Sequence, residues 1–264
     1  MDKDFLYEFL EFLRDYSLAF TRINMIFIVQ KCGSLHSNEQ LSIRLIPICR
    51  QSKSQDGFSA DVDINIFEEE WINKKEIVIN RLKANLGLQK TIYARKCVAR
   101  EISVADAIQF LNANHLLGYT RSNYRYGLFA TEDSETVKSE SLVAVATFSG
   151  PKIINREGTN VKSYEWVRYA NYSDFRVVGG MGKLLDFFIQ KEFPQEIMSY
   201  ADRSWGNGNA YVKLGFKLLE TTCNITYYLD RKSLERVPKR LLSKIDKTEL
   251  LVRHKSDFKF IRRF

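Results

Sequence analysis

The chain has 264 residues, of which 45% are hydrophobic, 27% charged and 13% aromatic, as in an ordinary globular protein. Its four cysteines are scattered without the CxxC or CxxH spacing of a zinc knuckle, so the sequence predicts neither a disulfide framework nor a bound metal. The acidic N-terminus has no secretory signal pattern, which favours a cytoplasmic protein.

The net charge of +8 is unevenly distributed. Residues 231–264 contain twelve Lys or Arg and four Asp or Glu, whereas the rest of the chain has 28 of each sign. A basic C-terminal arm on a neutral body is typical of proteins with a polyanionic partner, and nucleic acid, DNA above all, is the partner we expect. A solvated tail would have the same composition.

The first third of the chain predicts a small N-terminal α+β domain at residues 1–92. In some of its segments the apolar residues have the spacing of a helix, and in others that of a strand. Gly87 ends the last helix. The predicted elements are a helix at 4–20, strands at 23–29, 41–49 and 62–67, a loop at 52–59, and a helix at 68–86.

Residues 93–230 predict a second α+β domain. A helix that begins at the capping residue Ser103 comes before three strands joined by polar turns, and strand and helix then alternate. The predicted elements are an extended stretch at 93–100, helices at 103–116, 182–192 and 209–214, and strands at 126–130, 142–148, 163–169, 197–201 and 224–229. Strand–helix–strand order implies local parallel pairing, so we expect a mainly antiparallel sheet with a parallel centre, flanked by helices.

A glycine-rich segment lies between the predicted strand at 163–169 and the following helix. Its glycines allow a ligand to approach the backbone closely, and the helix that follows presents free N–H groups and the positive end of its dipole. Both features favour an anion such as a pyrophosphate, although a tight turn without a ligand would need the same residues. The candidate ligand-binding residues are Arg176, Val177, Val178, Gly179, Gly180, Met181, Gly182 and Lys183.

This segment resembles the pyrophosphate-binding motif of the GNAT acyltransferases, Q/R-x-x-G-x-G/A followed by Leu-Leu. The match is Arg176-x-x-Gly179-x-Met181-x-x-Leu184-Leu185, with Met181 in place of the family's small residue. Tyr211-Val-Lys-Leu-Gly215-Phe216 is similar to the family's Y-x-x-x-G-F. The resemblance implies a GNAT-like fold, acetyl-CoA or another acyl-CoA as cofactor, and a role for Tyr211 in protonating the departing thiolate; a tyrosine packed in the core is the alternative.

Five shorter segments resemble a phage and mobile-element group of such domains: Ala94-Arg-Lys-Cys97, Asn114-His-Leu116, Val177-Val-Gly-Gly180, Ser199-Tyr-Ala-Asp-Arg203 and Leu214-Gly-Phe216. That group is similar to Mom-type DNA-modification proteins and to the domain that follows Vsr-like homing endonucleases. The segment 64–71 resembles the last strand and helix of those nucleases, and the residues before it do not match a nuclease core.

Acyl transfer needs a base for the acceptor and an acid for the thiolate. Glu165 and Arg168 lie on the strand before the glycines, where simple alternation places them on opposite faces; Glu165 is our first candidate for the base. Asp202 follows the next strand as a second base or an orienting group, and Arg203 is either a substrate ligand or its ion-pair partner. Trp205 is a stacking residue or a core residue.

Interleaved Arg and Tyr at 119–126 suit phosphate contact and base stacking, with Arg121 and Tyr124 as the candidates; turn residues over a cleft would look alike. Together these features predict an acyl-CoA-dependent N-acyltransferase that modifies a nucleic-acid base in a phage or mobile-element context. Two alternatives stay open. One is an inactive GNAT-like nucleic-acid-binding module, and the other is a GNAT that acts on a protein or small-molecule amine.

Overall fold

The computed structural model describes residues 3–31, 39–48, 62–134, 137–222, 225–230, 232–237, 250–254 and 256–264. The loop predicted at 52–59 lies outside these residues. The chain divides into two compact units, each built from several segments. The first unit comprises 1–88, 201–208 and 221–258, and the second comprises 89–200, 209–220 and 259–264. This division differs from the three consecutive domains expected at 1–92, 93–230 and 231–264.

The first unit contains a four-stranded sheet in the order β1-β2-β3-β4. Its elements are α1 (Lys3–Asp15), β1 (Phe20–Ile23), β2 (Ile26–Gln30), β3 (Gln40–Ile46), β4 (Ile64–Phe67) and α2 (Glu68–Leu86). The aromatic stripe of α1 packs on this sheet, where the ring of Phe9 lies 5.0 Å from that of Phe27. The predicted strand at 23–29 is in fact the second half of a hairpin, because Asn24 adopts a φ of 57° and turns the chain.

A second, three-stranded sheet also belongs to the first unit. It consists of β14 (Ile225–Leu229), β15 (Arg236–Val237) and β16 (Leu250–His254), in the order β15-β14-β16. Arg236 on β15 pairs with Glu69 at 2.8 Å and with Glu70 at 2.7 Å, both buried in the first turn of α2. Arg236, one of the basic residues of the C-terminal segment, therefore forms part of an internal ion-pair cluster.

The second unit is built mostly around an eight-stranded sheet in the order β13-β17-β12-β10-β8-β7-β6, with β9 paired to β10. Its elements are β5 (Lys90–Tyr93), β6 (Cys97–Glu101), α3 (Val104–Asn114), β7 (Tyr124–Ala130), β8 (Leu142–Phe148), β9 (Lys152–Arg156), β10 (Thr159–Asn171), β11 (Phe175–Val178), α4 (Gly180–Glu192), β12 (Glu196–Asp202), α5 (Asn209–Lys213), β13 (Lys217–Thr221) and β17 (Asp257–Arg263). Strands β6, β7, β8 and β10 pair antiparallel in turn, and β10 pairs parallel with β12. The predicted α+β, mainly antiparallel sheet with a parallel centre is confirmed.

Each face of this sheet is covered by one of the helices. On one face Phe188 of α4 stacks on Phe148 of β8 with ring centroids 3.9 Å apart. On the other face Phe110 and Leu111 of α3 pack against Val145 and Ala170. Because strand side chains alternate between faces, the contacts of these two helices define which face each side chain of β7 and β8 occupies, and the register with β8 then gives the faces on β10.

The sheet ends differently from the prediction. The expected last strand at 224–229 is β14 of the first unit, and the sheet is completed instead by β13 and β17. Strand β17 lies within the predicted basic arm, and its side chains at Phe260 and Ile261 are buried. The high charge of 231–264 concealed this strand. No described helix has the length and apolar character needed to span a membrane.

Candidate functional site

The glycine-rich segment forms a sharp turn from β11 into α4. Gly179 has a φ of 79°, in the left-handed region that favours glycine, and it is exposed. Apart from its two chain neighbours, the nearest described atom to a Cβ built on it is the Cβ of Ala94 at 3.5 Å, which is an ordinary van der Waals distance. The first intrahelical bond of α4 is donated by the amide of Lys183 to the Gly179 carbonyl at 3.0 Å. The amides of residues 180–182 precede this bond, so they donate no i to i−4 hydrogen bond within the helix and can donate to a ligand.

Gly180 is required for a different reason, which is a close approach inside the protein. It is buried, and a Cβ built on it would lie 2.6 Å from the hydroxyl of Tyr169 and 3.0 Å from Val177. The Tyr169 hydroxyl donates to Asn171 at 2.6 Å, and burial raises its pKa. The two glycines thus have separate roles: Gly179 shapes the exposed turn and Gly180 packs the start of α4 onto β10.

The remaining residues of the motif divide between surface and interior. Arg176 and Val178 are exposed, Val177 is buried, and Met181 and Gly182 are half-buried. The ammonium group of Lys183 donates to the carbonyls of Ala94, at 2.9 Å, and of Cys97. Its side chain thereby ties α4 to the turn that follows β5.

A β-bulge in β10 changes the orientation predicted for Glu165 and Arg168. Trp166 lies opposite Phe148 and Arg168 opposite Thr147, so Val167 is an extra residue. Trp166 and Arg168 consequently lie on opposite faces although they are two residues apart. Glu165 and Arg168 therefore share one face, the face covered by α3, and the prediction of opposite faces was wrong.

Arg168 is half-buried on that face and is held by main-chain oxygens. Its Nε donates to Gly118 at 3.1 Å and its Nη1 to Val167 at 2.8 Å. Burial lowers its pKa, and the charge of Glu165 opposes that effect. Among the residues that the structure describes, the Glu165 carboxylate has no hydrogen-bond partner, so a base at this position has an uncommitted acceptor.

Tyr211 reaches the point where β10 and β12 separate. The two strands pair from Ser163–Glu196 to Trp166–Ser199. The Ser199 hydroxyl lies 2.9 Å from the Trp166 carbonyl and 3.1 Å from the Tyr211 hydroxyl. Because the carbonyl can only accept, the single Ser199 proton goes to it, and Tyr211 donates to Ser199. The Tyr211 ring stacks on Phe260 with centroids 5.2 Å apart, so the residue is both packed and able to give a proton.

Asp202, Arg203 and Trp205 belong to the first unit. The Asp202 carboxylate accepts the amide of Ser204 at 2.8 Å and caps the short 3-10 turn Arg203–Trp205. Arg203 donates to Ser256 at 2.9 Å. Trp205 is buried, with the guanidinium of Arg81 4.4 Å from its ring centroid. Each of the three therefore has structural contacts within its own unit.

The Arg and Tyr residues at 119–126 divide between the surface and the two faces of the sheet. Arg121 is exposed, whereas the ring of Tyr124 packs on that of Phe188 in α4, with centroids 5.7 Å apart. Arg125 lies on the α3 face, where it is the cross-strand neighbour of Thr147 on β8. Neither Arg125 nor Thr147 was among the predicted site residues, and Ser199 was named only within a segment of the resemblance, without a role. The only sequence signal for Thr147 is a lone hydroxyl residue in an otherwise apolar strand, which is too common to be informative.

Comparison with known proteins returned neither a matching family model nor a matching curated protein. Among solved structures, the chain is similar to Arabidopsis thaliana NAA60 in complex with acetyl-CoA (11% identity, 64% of this chain and 98% of that one, TM-score 0.42). It is also similar to Drosophila melanogaster polyamine N-acetyltransferase (13%, 64% and 100%, 0.39) and to a mutant of spermidine N-acetyltransferase from Vibrio cholerae (12%, 64% and 94%, 0.40). At identities and TM-scores this low, the likeness does not assign a family or an activity.

Proposed function

We propose that the chain is an acyl-CoA-dependent N-acyltransferase of the GNAT type. The observation that carries the proposal is the exposed, left-handed Gly179 at the start of α4. A diphosphate fits such a turn because the amides of the first helical turn point outward and the helix dipole favours negative charge. Among the described residues other than its chain neighbours, none comes closer than 3.5 Å to the Gly179 Cβ position, which supports an open approach.

A bound acyl-CoA would supply an activated thioester carbonyl, at which a C–N bond to the acceptor amine forms as the C–S bond breaks. The amides of residues 180–182 would hold the diphosphate. Glu165 would accept the proton that the amine loses, and Tyr211 would give its hydroxyl proton to the departing sulfur. Asp202 is left without a part in this scheme, because its carboxylate caps a turn of the first unit.

Titration of acetyl-CoA by calorimetry tests the cofactor assignment. Gly179→Glu places a carboxylate beside the proposed diphosphate and should abolish binding. Gly158→Glu is the matched control, because Gly158 is also exposed, has a φ of 86° and, apart from its chain neighbours, has no described atom within 4 Å of its Cβ position. Equal binding by wild type and Gly179→Glu would remove the assignment, and loss of binding in both variants would point to backbone strain alone.

For the acceptor, we carry forward a nucleic-acid base, with DNA favoured, as in Mom-type modification. The support is the net charge of +8, which arises from residues 231–264. Four basic side chains of that segment also have contacts inside the protein: Arg236, Lys259 and Arg263 have carboxylate partners, and Arg262 donates to the Leu214 carbonyl. Deleting 231–264 would remove β17 from the sheet, so the test has to change charges instead. Neutralising Lys244 and Lys247 to Gln should weaken binding of single-stranded DNA and reduce its salt dependence.

Two other functions remain distinguishable from this one. A catalytically inactive module would bind DNA but not acetyl-CoA, and Met181 at the position of the family's small residue is the feature that favours it. A transferase for a protein or small-molecule amine would bind acetyl-CoA but show no salt-dependent DNA affinity. Incubation with acetyl-CoA and DNA, RNA, peptide or free amines, followed by mass spectrometry, separates the three.

A further inference from the structure

A row of polar side chains crosses the α3 face of the eight-stranded sheet. Arg125 of β7, Thr147 of β8 and Arg168 of β10 are in register across three adjacent strands, so their side chains point the same way. Adjacent strands lie about 4.8 Å apart, which places the two arginines on either side of the threonine. Two like charges flanking one buried hydroxyl do not stabilise the fold by themselves.

Several donors of this row have no partner. Within the described part of the chain, the hydroxyl of fully buried Thr147 and the buried Nε of Arg125 have no hydrogen-bond partner. The same holds for the hydroxyl of buried Ser122, which lies beside the row and whose carbonyl accepts from the Nη1 of Arg125. Among the described residues, Arg168 uses Nε and Nη1 on carbonyls, which leaves Nη2. A buried polar group that is left unpaired costs free energy. Several unpaired donors at one place therefore indicate that an acceptor is missing.

The row has an apolar neighbour on one side and the candidate base on the other. The next row on the same face, Ala170–Val145–Gly127, is part of the core beneath α3. In the other direction Glu165 shares the face with Arg168 and interacts with its charge. Same-face rows are spaced by two residues, about 7 Å. A group bound by the arginines would therefore lie within a few bonds of a group that contacts Glu165.

We infer that Arg125, Thr147 and Arg168 form an oxyanion subsite for the acceptor. This inference assigns as acceptor a small amine that also carries a carboxylate or a phosphate ester, and so favours the small-molecule alternative over a nucleic-acid base. The inference rests on the proposed transferase function for the amine, while the oxyanion site itself does not depend on it. A purely cationic polyamine lacks the group that this row requires.

Thr147→Val is the informative variant, because it removes the hydroxyl while keeping the shape. Since that hydroxyl has no hydrogen-bond partner among the described residues, the variant should unfold at the same or a higher denaturant concentration than wild type. Thr131→Val is the matched control: its hydroxyl donates to the Lys96 carbonyl at 3.0 Å, so it should lose stability and keep ligand binding.

In the binding test, O-phosphoethanolamine or β-alanine is titrated into the protein in the absence of acetyl-CoA, and binding is monitored by the amide chemical shifts. Ethanolamine, which has no oxyanion, is the control probe. Shifts should appear at residues 122–125, 147 and 168, and Thr147→Val should weaken binding about tenfold. The stronger of the two probes identifies phosphate or carboxylate as the preferred group. No shifts, shifts only at 178–182, or equal affinity in Thr147→Val would overturn the inference. Failure of acetyl-CoA to bind would instead refute the proposed function and leave these shifts unaffected.

Discussion

Lys183 offers a test of whether the residues of the glycine motif act on a ligand or on the fold. Its ammonium donates to two main-chain carbonyls, those of Ala94 and Cys97. Lys183→Met retains the apolar stem and removes both bonds. Hydrogen bonds to a charged group contribute about 1.5–3 kcal/mol each, and Lys183 is only half-buried, so the free energy of unfolding should fall by about 2–4 kcal/mol in total.

The measurement is urea unfolding of the full chain, followed by acetyl-CoA titration at a temperature where the variant is folded. Lys191→Met is the control, because Lys191 lies on the same helix and its ion pair with Glu101 is exposed; it should cost about 1 kcal/mol or less. Acetyl-CoA affinity should change less than about threefold in Lys183→Met, since the ammonium faces the protein. An unchanged stability, or a loss of affinity of about tenfold or more in a folded variant, would refute this reasoning.

Three further predictions concern other parts of the second unit. Tyr211→Phe keeps the stacked ring and removes the proton, so steady-state kinetics should show kcat/KM reduced about 100-fold or more with the acetyl-CoA affinity unchanged; an unaltered rate would exclude it as the acid. Glu196 is fully buried; burial raises its pKa, but hydrogen bonds from Arg156 and other neighbours outweigh this and lower it. Its carboxylate therefore stabilises the fold at pH values above the unfolded-state pKa of about 4.3, and this contribution is lost as the pH falls through the lower folded-state pKa. The free energy of unfolding of Glu196→Gln should be about 2–4 kcal/mol lower than that of wild type at pH 7. Denaturation at pH 7 and at pH 3 should show that the variant loses less stability on acidification than wild type does. Gly180→Ala should lower the thermal midpoint through about 1–3 kcal/mol of overpacking against the Tyr169 hydroxyl, and an unshifted midpoint would contradict the close approach.

The elements that the sequence predicted well have local signals at their ends. Helix α2 runs from Glu68 to Leu86 as predicted, because Gly87 takes a φ of 77° and closes it. Helix α3 follows the capping box of Ser103 and Asp106. Strand β8 also has its predicted bounds, since its apolar run is enclosed by polar turns. Such signals depend on a few adjacent residues, so they can be read without knowing the fold.

The elements that were missed depend on distant partners. Strand β13 is exposed at every position and has no apolar alternation, and β11 is stabilised by pairing with β5, 82 residues or more away in the chain. The bulge at Val167 has no sequence signature, yet it decides which face Arg168 occupies. The glycine turn was therefore predictable, whereas the row that includes Arg125 and Thr147 depended on strand register and was not.

Titration of isotope-labelled protein with acetyl-CoA, followed by amide chemical shifts, addresses the central claim most directly. If the start of α4 holds the diphosphate, the amides of Gly180, Met181 and Gly182 should show the largest changes, and the Gly179→Glu variant should show none. Saturable binding that leaves these three amides unperturbed would contradict the account, as would the absence of binding by the wild-type chain.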